Sequence, residues 1–154
     1  MKVGIKKLQE NEWLVHIGCG AVKMDQFSVA LLNITLEHML ALDEGAEHST
    51  LDSYVKLGLR MKVLTPIHMQ KLLRVLDTKD LLLMLLLAQD QQLNESVMAN
   101  IGGILSKQLE RDLATASIPT EDVAKEAIRR IVEKTFELEA LGQIEFTSEK
   151  TRYI

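Results

Sequence analysis

The stretch "DTKDLLLMLLLAQDQQ", residues 77–92, decides the fold. From Leu81 to Ala88 the side chains are apolar without interruption. Three structures could hold such a run: a membrane span, a buried strand, or the centre of a soluble helical core. A span needs about 20 apolar residues, and this run is far shorter. It is bracketed by Asp77, Lys79 and Asp80 on one side and Asp90 on the other. A strand would favour Val, Ile and aromatic residues, whereas Leu, Met and Ala are strong helix formers. A helix that is apolar all round reads as buried on all sides. Residues 78–89 are therefore expected to form a central helix, with Asp77 as its N-cap and Leu83 and Leu85 in the core.

The bulk composition agrees. The chain has 154 residues, 47% hydrophobic and 26% charged, with only 4% aromatic residues. This length supports a real core, and the Leu-rich, aromatic-poor balance favours helices packed on helices. The net charge of −4 argues against nucleic-acid binding, which favours a basic chain. There is one cysteine, Cys19, so no disulfide can form within the chain. The N-terminus "MKVGIKKLQENEW" lacks the apolar stretch of a signal peptide, and no segment reads as a membrane span. The expected location is cytoplasmic, with any approach to the membrane face made through partners.

Working outward, residues 1–25 differ from the rest. "KVGIKKL" and "EWLVHIGCGAVKM" alternate with period two and are separated by "QENE". Val3, Ile5 and Leu8 against Trp13, Val15 and Ile17 predict a small β-hairpin, with a bend at Gly18 and Gly20. Asp25 should cap a helix over about 26–42, followed by a linker, "DEGAEHST" (43–50). A helix over about 51–63 begins at Ser49 or Thr50. Thr65 and Pro66 are an N-cap and first-turn pair for the next helix. Shorter helices follow at about 91–99 and 101–115. Thr120, Glu121 and Asp122 open the last long helix, stopped by Gly142. Val123, Ala127, Ile128, Ile131, Thr135 and Leu138 form its apolar stripe, and Glu126 and Arg130 are spaced as an i,i+4 pair. The fold class expected is mainly α, with armadillo-like stacked helices and a small N-terminal β-hairpin. Residues 1–48 form one part and 49–154 a helical domain.

Catalytic and metal patterns are weak. Cys19 in "GCG" lacks a neighbouring base or cation in sequence and reads as a small residue in a strand bend. His16, His38, His48 and His68 show no metal-ligand spacing. "IGG" at 101–103 lacks the frame of a phosphate loop. Met61, Met69, Met84 and Met98 read as core filler. No cofactor, no metal and no enzymatic activity are expected.

Residues 64–85, "LTPIHMQKLLRVLDTKDLLLML", 93–123, "LNESVMANIGGILSKQLERDLATASIPTEDV", and 137–146, "ELEALGQIEF", carry a resemblance. In pattern and order they resemble the C-terminal domain family of the flagellar motor switch protein FliG, over about residues 64–146. The resemblance implies an armadillo-like domain of the rotor's switch complex, which presents a charged ridge to the membrane-embedded stator. The family's ridge uses an Arg, two adjacent Asp, and flanking Lys and Arg. Here the Arg position falls on Ile104, the two Asp positions on Arg111 and Asp112, the Lys position near Leu86, and the last Arg near Thr120. Lys107 lies one turn from both Ile104 and Arg111, on their face. The expected partner-binding residues are thus Ile104, Lys107, Arg111 and Asp112. An acid-to-base exchange reverses the local sign and would repel the partner that the family attracts. The family's "MFVF" linker motif is replaced by "YVKLGLRM" (54–61), and residues 1–48 match nothing in that family.

The function expected from this is a non-enzymatic protein–protein interaction module, an adaptor or regulator of motility machinery with flagellar motor components as partners. The alternative is a helical-repeat binding or regulatory module unrelated to motility. A third reading, an enzyme or redox sensor built on Cys19, has only "GCG" behind it. The open edge of the predicted hairpin also invites a homodimer.

Overall fold

The computed structural model describes residues 1–41 and 49–146. Most of the expected linker, and His48 within it, lies outside the described residues. The chain divides into two compact units, Met1–Ser53 and the segment from Tyr54 onward.

The first unit opens with three antiparallel strands, β1 (Val3–Gln9), β2 (Glu12–Ile17) and β3 (Gly20–Met24), in the order β1-β2-β3. This corrects the predicted hairpin: the second alternating run is two strands. Gly18 and Cys19 form a two-residue turn between the paired residues Ile17 and Gly20. Gly18 has φ +63 there, which suits the first central position of a hairpin turn. The first pairing has the expected register, with Val3 opposite Ile17 and Ile5 opposite Val15. A bulge between Lys7 and Gln9 takes Leu8 out of the alternation. Helix α1 (Gln26–Ala41) follows. Asp25 caps it, accepting from the Ser28 N–H at 2.8 Å, and the Asn11 side chain accepts from the Gln26 N–H at 2.9 Å.

α2 (Thr50–Gly58) tightens into a 3-10 segment, Leu59–Val63, where a continuous helix was expected. Gly58 ends α2 where a Cβ would come within 2.8 Å of the Met84 side chain, so only glycine fits this approach without a shift. Thr65 and Pro66 then open α3 (Pro66–Val75) as predicted. α4 is Thr78–Ala88, with Asp77 accepting from the Lys79 N–H at 2.8 Å. α5 (Gln91–Asn100), α6 (Gly103–Thr115) and α7 (Glu121–Ala140) complete the unit. α7 ends in a paired cap: Gln143 N–H donates to the Leu138 carbonyl and Gly142 N–H to that of Glu139, with Gly142 at φ +72.

The core sits where α4 meets α7 and α3 meets α5. Leu81, Met84, Leu93, Ile128 and Ile131 are buried there, as are Met61, Met69 and Leu72. Met98 is only half-buried. Helix α4 is not covered on all sides. Leu81, Met84 and Leu85 are buried, but Leu82, Leu83, Leu86 and Leu87 are half-buried. One flank of α4 is therefore partly open to solvent. The α7 stripe is also shifted. Val123 is 50% exposed, and Ala124 and Val132 are buried alongside Ala127, Ile128, Ile131, Thr135 and Leu138.

Candidate docking surface

Helix α6 follows α5 after a sharp break. Gly102 is its N-cap at φ +93, a backbone conformation that L side chains rarely adopt. The helix buries Leu109, and Ser106 donates to the Met98 sulfur at 3.4 Å. That fixes which side faces the bundle. The opposite side presents Ile104, 85% exposed, and the exposed residues Lys107, Gln108 and Arg111. The Arg111 side chain folds back along the helix, its Nε donating to the Lys107 carbonyl at 3.3 Å. Ile104, Lys107 and Arg111 therefore lie together on one outward face. Asp112 does not join them fully: it is half-buried, and its carbonyl accepts the capping N–H of Ala116 at 2.8 Å. Between Ile104 and Arg111 the exposed charged positions are Lys107, Glu110 and Arg111, with Glu110 on the flank one turn from Lys107.

The two remaining ridge-equivalent positions lie elsewhere. Leu86 is half-buried and lines a small hollow of about 340 Å³ with Gln89, Asn94 and Leu113. Thr120 is the N-cap position of α7. Neither carries a charge.

A second feature escaped the sequence reading. An open groove of about 720 Å³ runs between α4 and α7, with Leu76, Leu83 and Val123 among its lining residues. Across it Arg130 forks onto Asp80, Nε to Oδ2 at 2.9 Å and Nη2 to Oδ1 at 2.8 Å. The Asp80 side chain is 10% exposed and that of Arg130 55%. The hydrogen bond to Asp80 is the main reason that Arg130 holds its proton more firmly than usual, against a smaller opposing effect of burial. The expected i,i+4 partner, Glu126, contributes only at longer range. The signal available in sequence was Asp80, a lone acid entering an apolar run. Its partner, 50 residues away, was not legible. Both groups are consumed by one another, so the pair clamps two helices and is not arranged for proton transfer.

Asp90 is the other strongly engaged carboxylate. It caps α5, accepting from the Leu93 N–H at 2.8 Å, and pairs with Lys62 Nζ at 3.1 Å. The backbone bond first, and then Lys62, lower its pKa. Cys19 is exposed and not in a disulfide, and it sits in a hairpin turn. His16 is exposed and His38 is half-buried. His68 accepts the Glu145 N–H at Nδ1. Among the described residues no cluster of three or more His, Cys, Asp or Glu side chains is placed to hold a metal, and no helix is long and apolar enough to cross a membrane.

Comparison with known proteins adds one finding. No curated protein and no solved structure matches the chain. The model of one family, the FliG C-terminal domain, matches residues 60–146. That span begins within the 3-10 segment and ends just beyond the cap of α7, so it takes in the core, the outward face of α6 and the Asp80–Arg130 clamp. With more than half of its residues inside this match, the chain belongs to the FliG C-terminal domain family and is thereby related to the flagellar rotor switch.

Proposed function

We propose that the protein is a non-enzymatic adaptor or regulator of motility machinery that docks through the outward face of α6. In this reading residues 49–154 are the FliG-like helical domain and residues 1–48 an added N-terminal part. It acts in the cytoplasm, reaching the cytoplasmic face of the membrane only through its partners, which are proteins and not nucleic acid. The observation that supports it is the outward face itself: a highly exposed Ile104 beside Lys107 and Arg111, with Glu110 at its flank. A single exposed Ile is ordinary on a protein surface, so the weight falls on the two cations beside it, which favour a partner with acidic groups around an apolar contact. A tagged pull-down from the native cell tests this. Motor components should co-purify with the wild type, and Arg111→Asp and Ile104→Arg should each lower the yield. Recovery of motor components unchanged by both substitutions would remove α6 from the docking role.

The sign of this face favours a second reading. Where the family has paired acids, this chain has Arg111 and Asp112. A family scaffold with reversed charge can serve as a helical-repeat binding module outside motility. Capture of non-motor proteins that depends on Arg111 would select it. We also propose self-association through the N-terminal sheet, whose outer strands β1 and β3 offer edges. Light scattering should then give a mass that rises with concentration, and a monomer mass throughout would reject it.

A further inference from the structure

The chain turns back after α7. Beyond Gly142, residues 143–146 form a short strap held against the 3-10 segment and α3. Ile144 is 2% exposed. Lys71 Nζ donates to the Gln143 carbonyl at 3.3 Å, and the Arg60 guanidinium lies 5.6 Å from the centre of the Phe146 ring. The backbone N–H of Glu145 donates to Nδ1 of His68 at 3.2 Å.

The last contact differs in kind from the others. Arg and Lys keep their charge throughout the neutral range, and the burial of Ile144 does not titrate. Histidine does titrate there, ordinarily near pH 6.5. To accept at Nδ1, His68 must be neutral with its proton on Nε2. Protonation puts a hydrogen on Nδ1 as well, and two donors then face one another.

We propose that His68 is a pH-operated latch on the strap 143–146, closed while the imidazole is neutral and released when it is protonated. The surrounding charges reinforce release. Arg60 from the 3-10 segment and Lys71 from α3 already bring two cations to the strap, and a third at His68 adds repulsion. The opposing group is the carboxylate of Glu145, on the strap itself. From the helices that also pack on α3, Glu95 of α5 is engaged by Gln91, and Glu133 and Glu137 of α7 by Arg129 and Lys134. Release frees the Glu145 end of the strap and loosens the segment that seats Ile144. The device is independent of the α6 face and of the identity of its partner.

Nuclear magnetic resonance on the full chain tests it. The imidazole nitrogens of His68 and the amide of Glu145 are followed between about pH 8 and pH 5, the range that brackets ordinary histidine titration. The Nε2–H tautomer is expected at the alkaline end, and the Glu145 amide shift should follow the His68 midpoint. Exchange of the Glu145 amide, corrected for its intrinsic pH dependence, should rise about fivefold to tenfold on acidification, the loss of one net hydrogen bond. His68→Gln should flatten that step. A proton on Nδ1 at alkaline pH, a Glu145 amide that ignores the His68 midpoint, or an undiminished step in His68→Gln would each overturn the latch.

Discussion

The two units of this chain use apolar residues in opposite ways. The helical unit hides a set of them in a core, where Met69, Met84, Leu93, Val97, Ala127 and Ile128 have essentially no contact with solvent, although Ile104 and Val123 stand out on its surface. In the first unit Val15 and Phe27 are buried, but Val3, Ile5, Ile17 and Val22 of the same sheet stand exposed. These residues share one face, since Val3 pairs with Ile17 and Val15 lies between Ile5 and Val22. A sheet has two faces and needs another layer for its apolar one. Several helices can cover one another and a three-stranded sheet cannot cover itself. Most of the stability is therefore expected in the helical unit, which is also the part matched by the family model.

The largest expected effect tests that contrast directly. Leu85→Asp places an unpaired charge in the helical core and should cost several kcal/mol, enough to abolish a cooperative thermal melt. Ile5→Asp, on the open sheet face, should change stability by about 0.5 kcal/mol or less. Leu83→Asp should fall between, because Leu83 is half-buried at the groove. Equal loss from Leu85→Asp and Ile5→Asp would show that the sheet face is covered in solution and break the comparison.

The clamp sharpens it within the helical unit. Arg130→Met leaves the nearly buried Asp80 carboxylate without its two charge-assisted bonds, a loss of about 2–3 kcal/mol. Asp80→Asn keeps one acceptor, and the half-exposed Arg130 can turn to water, so about 1 kcal/mol is expected. Urea unfolding of the two variants gives the order. A larger loss from Asp80→Asn would mean that the clamp serves Arg130 and not the buried acid.

These contrasts also mark what the sequence could reveal. Asp25, Thr65 with Pro66, Asp77 and Gly142 were legible because capping is local: the group that ends a helix lies within a few residues of the backbone it satisfies. The division of the second alternating run at Gly18 was missed because "GCG" continues a period-two pattern through the turn. Covering was not legible at all. Leu81 and Leu82 look alike in sequence, yet one is buried and the other is not, since that depends on which flank α7 occupies. The outward placement of Ile104, Lys107 and Arg111 follows from helical spacing. Asp112 lies one step around the helix, and spacing alone did not separate it from them. The partner of Arg130 was a choice between a near acid and a distant one, and packing selected the distant one.

A smaller effect is expected at the end of α7. Gly142 sits at φ +72 with open space where a Cβ would be, so Gly142→Ala meets backbone strain and no clash. A cost of about 1 kcal/mol should appear in the melting temperature. The wild-type value retained in the variant would show that the two capping bonds from Gly142 and Gln143 do not require this conformation.

The smallest effect concerns acid. Asp90 has its pKa lowered by the Leu93 N–H and by Lys62, so its folded value lies below its ordinary value of 3.8. The unfolded chain then binds the proton more readily than the folded one. The resulting stabilisation is fully present above the ordinary value and is lost as pH falls through the lowered one. Asn is an equally good N-cap and carries no charge, so Asp90→Asn isolates this contribution. The gap in melting temperature between the wild type and Asp90→Asn should be widest near neutral pH and should close as the pH falls below about 4. High salt should narrow it as well, since the Lys62 pair is partly open to solvent. A gap that stays constant from neutral pH to below about 4 would show that the Leu93 N–H and Lys62 do not hold the Asp90 carboxylate below its ordinary value.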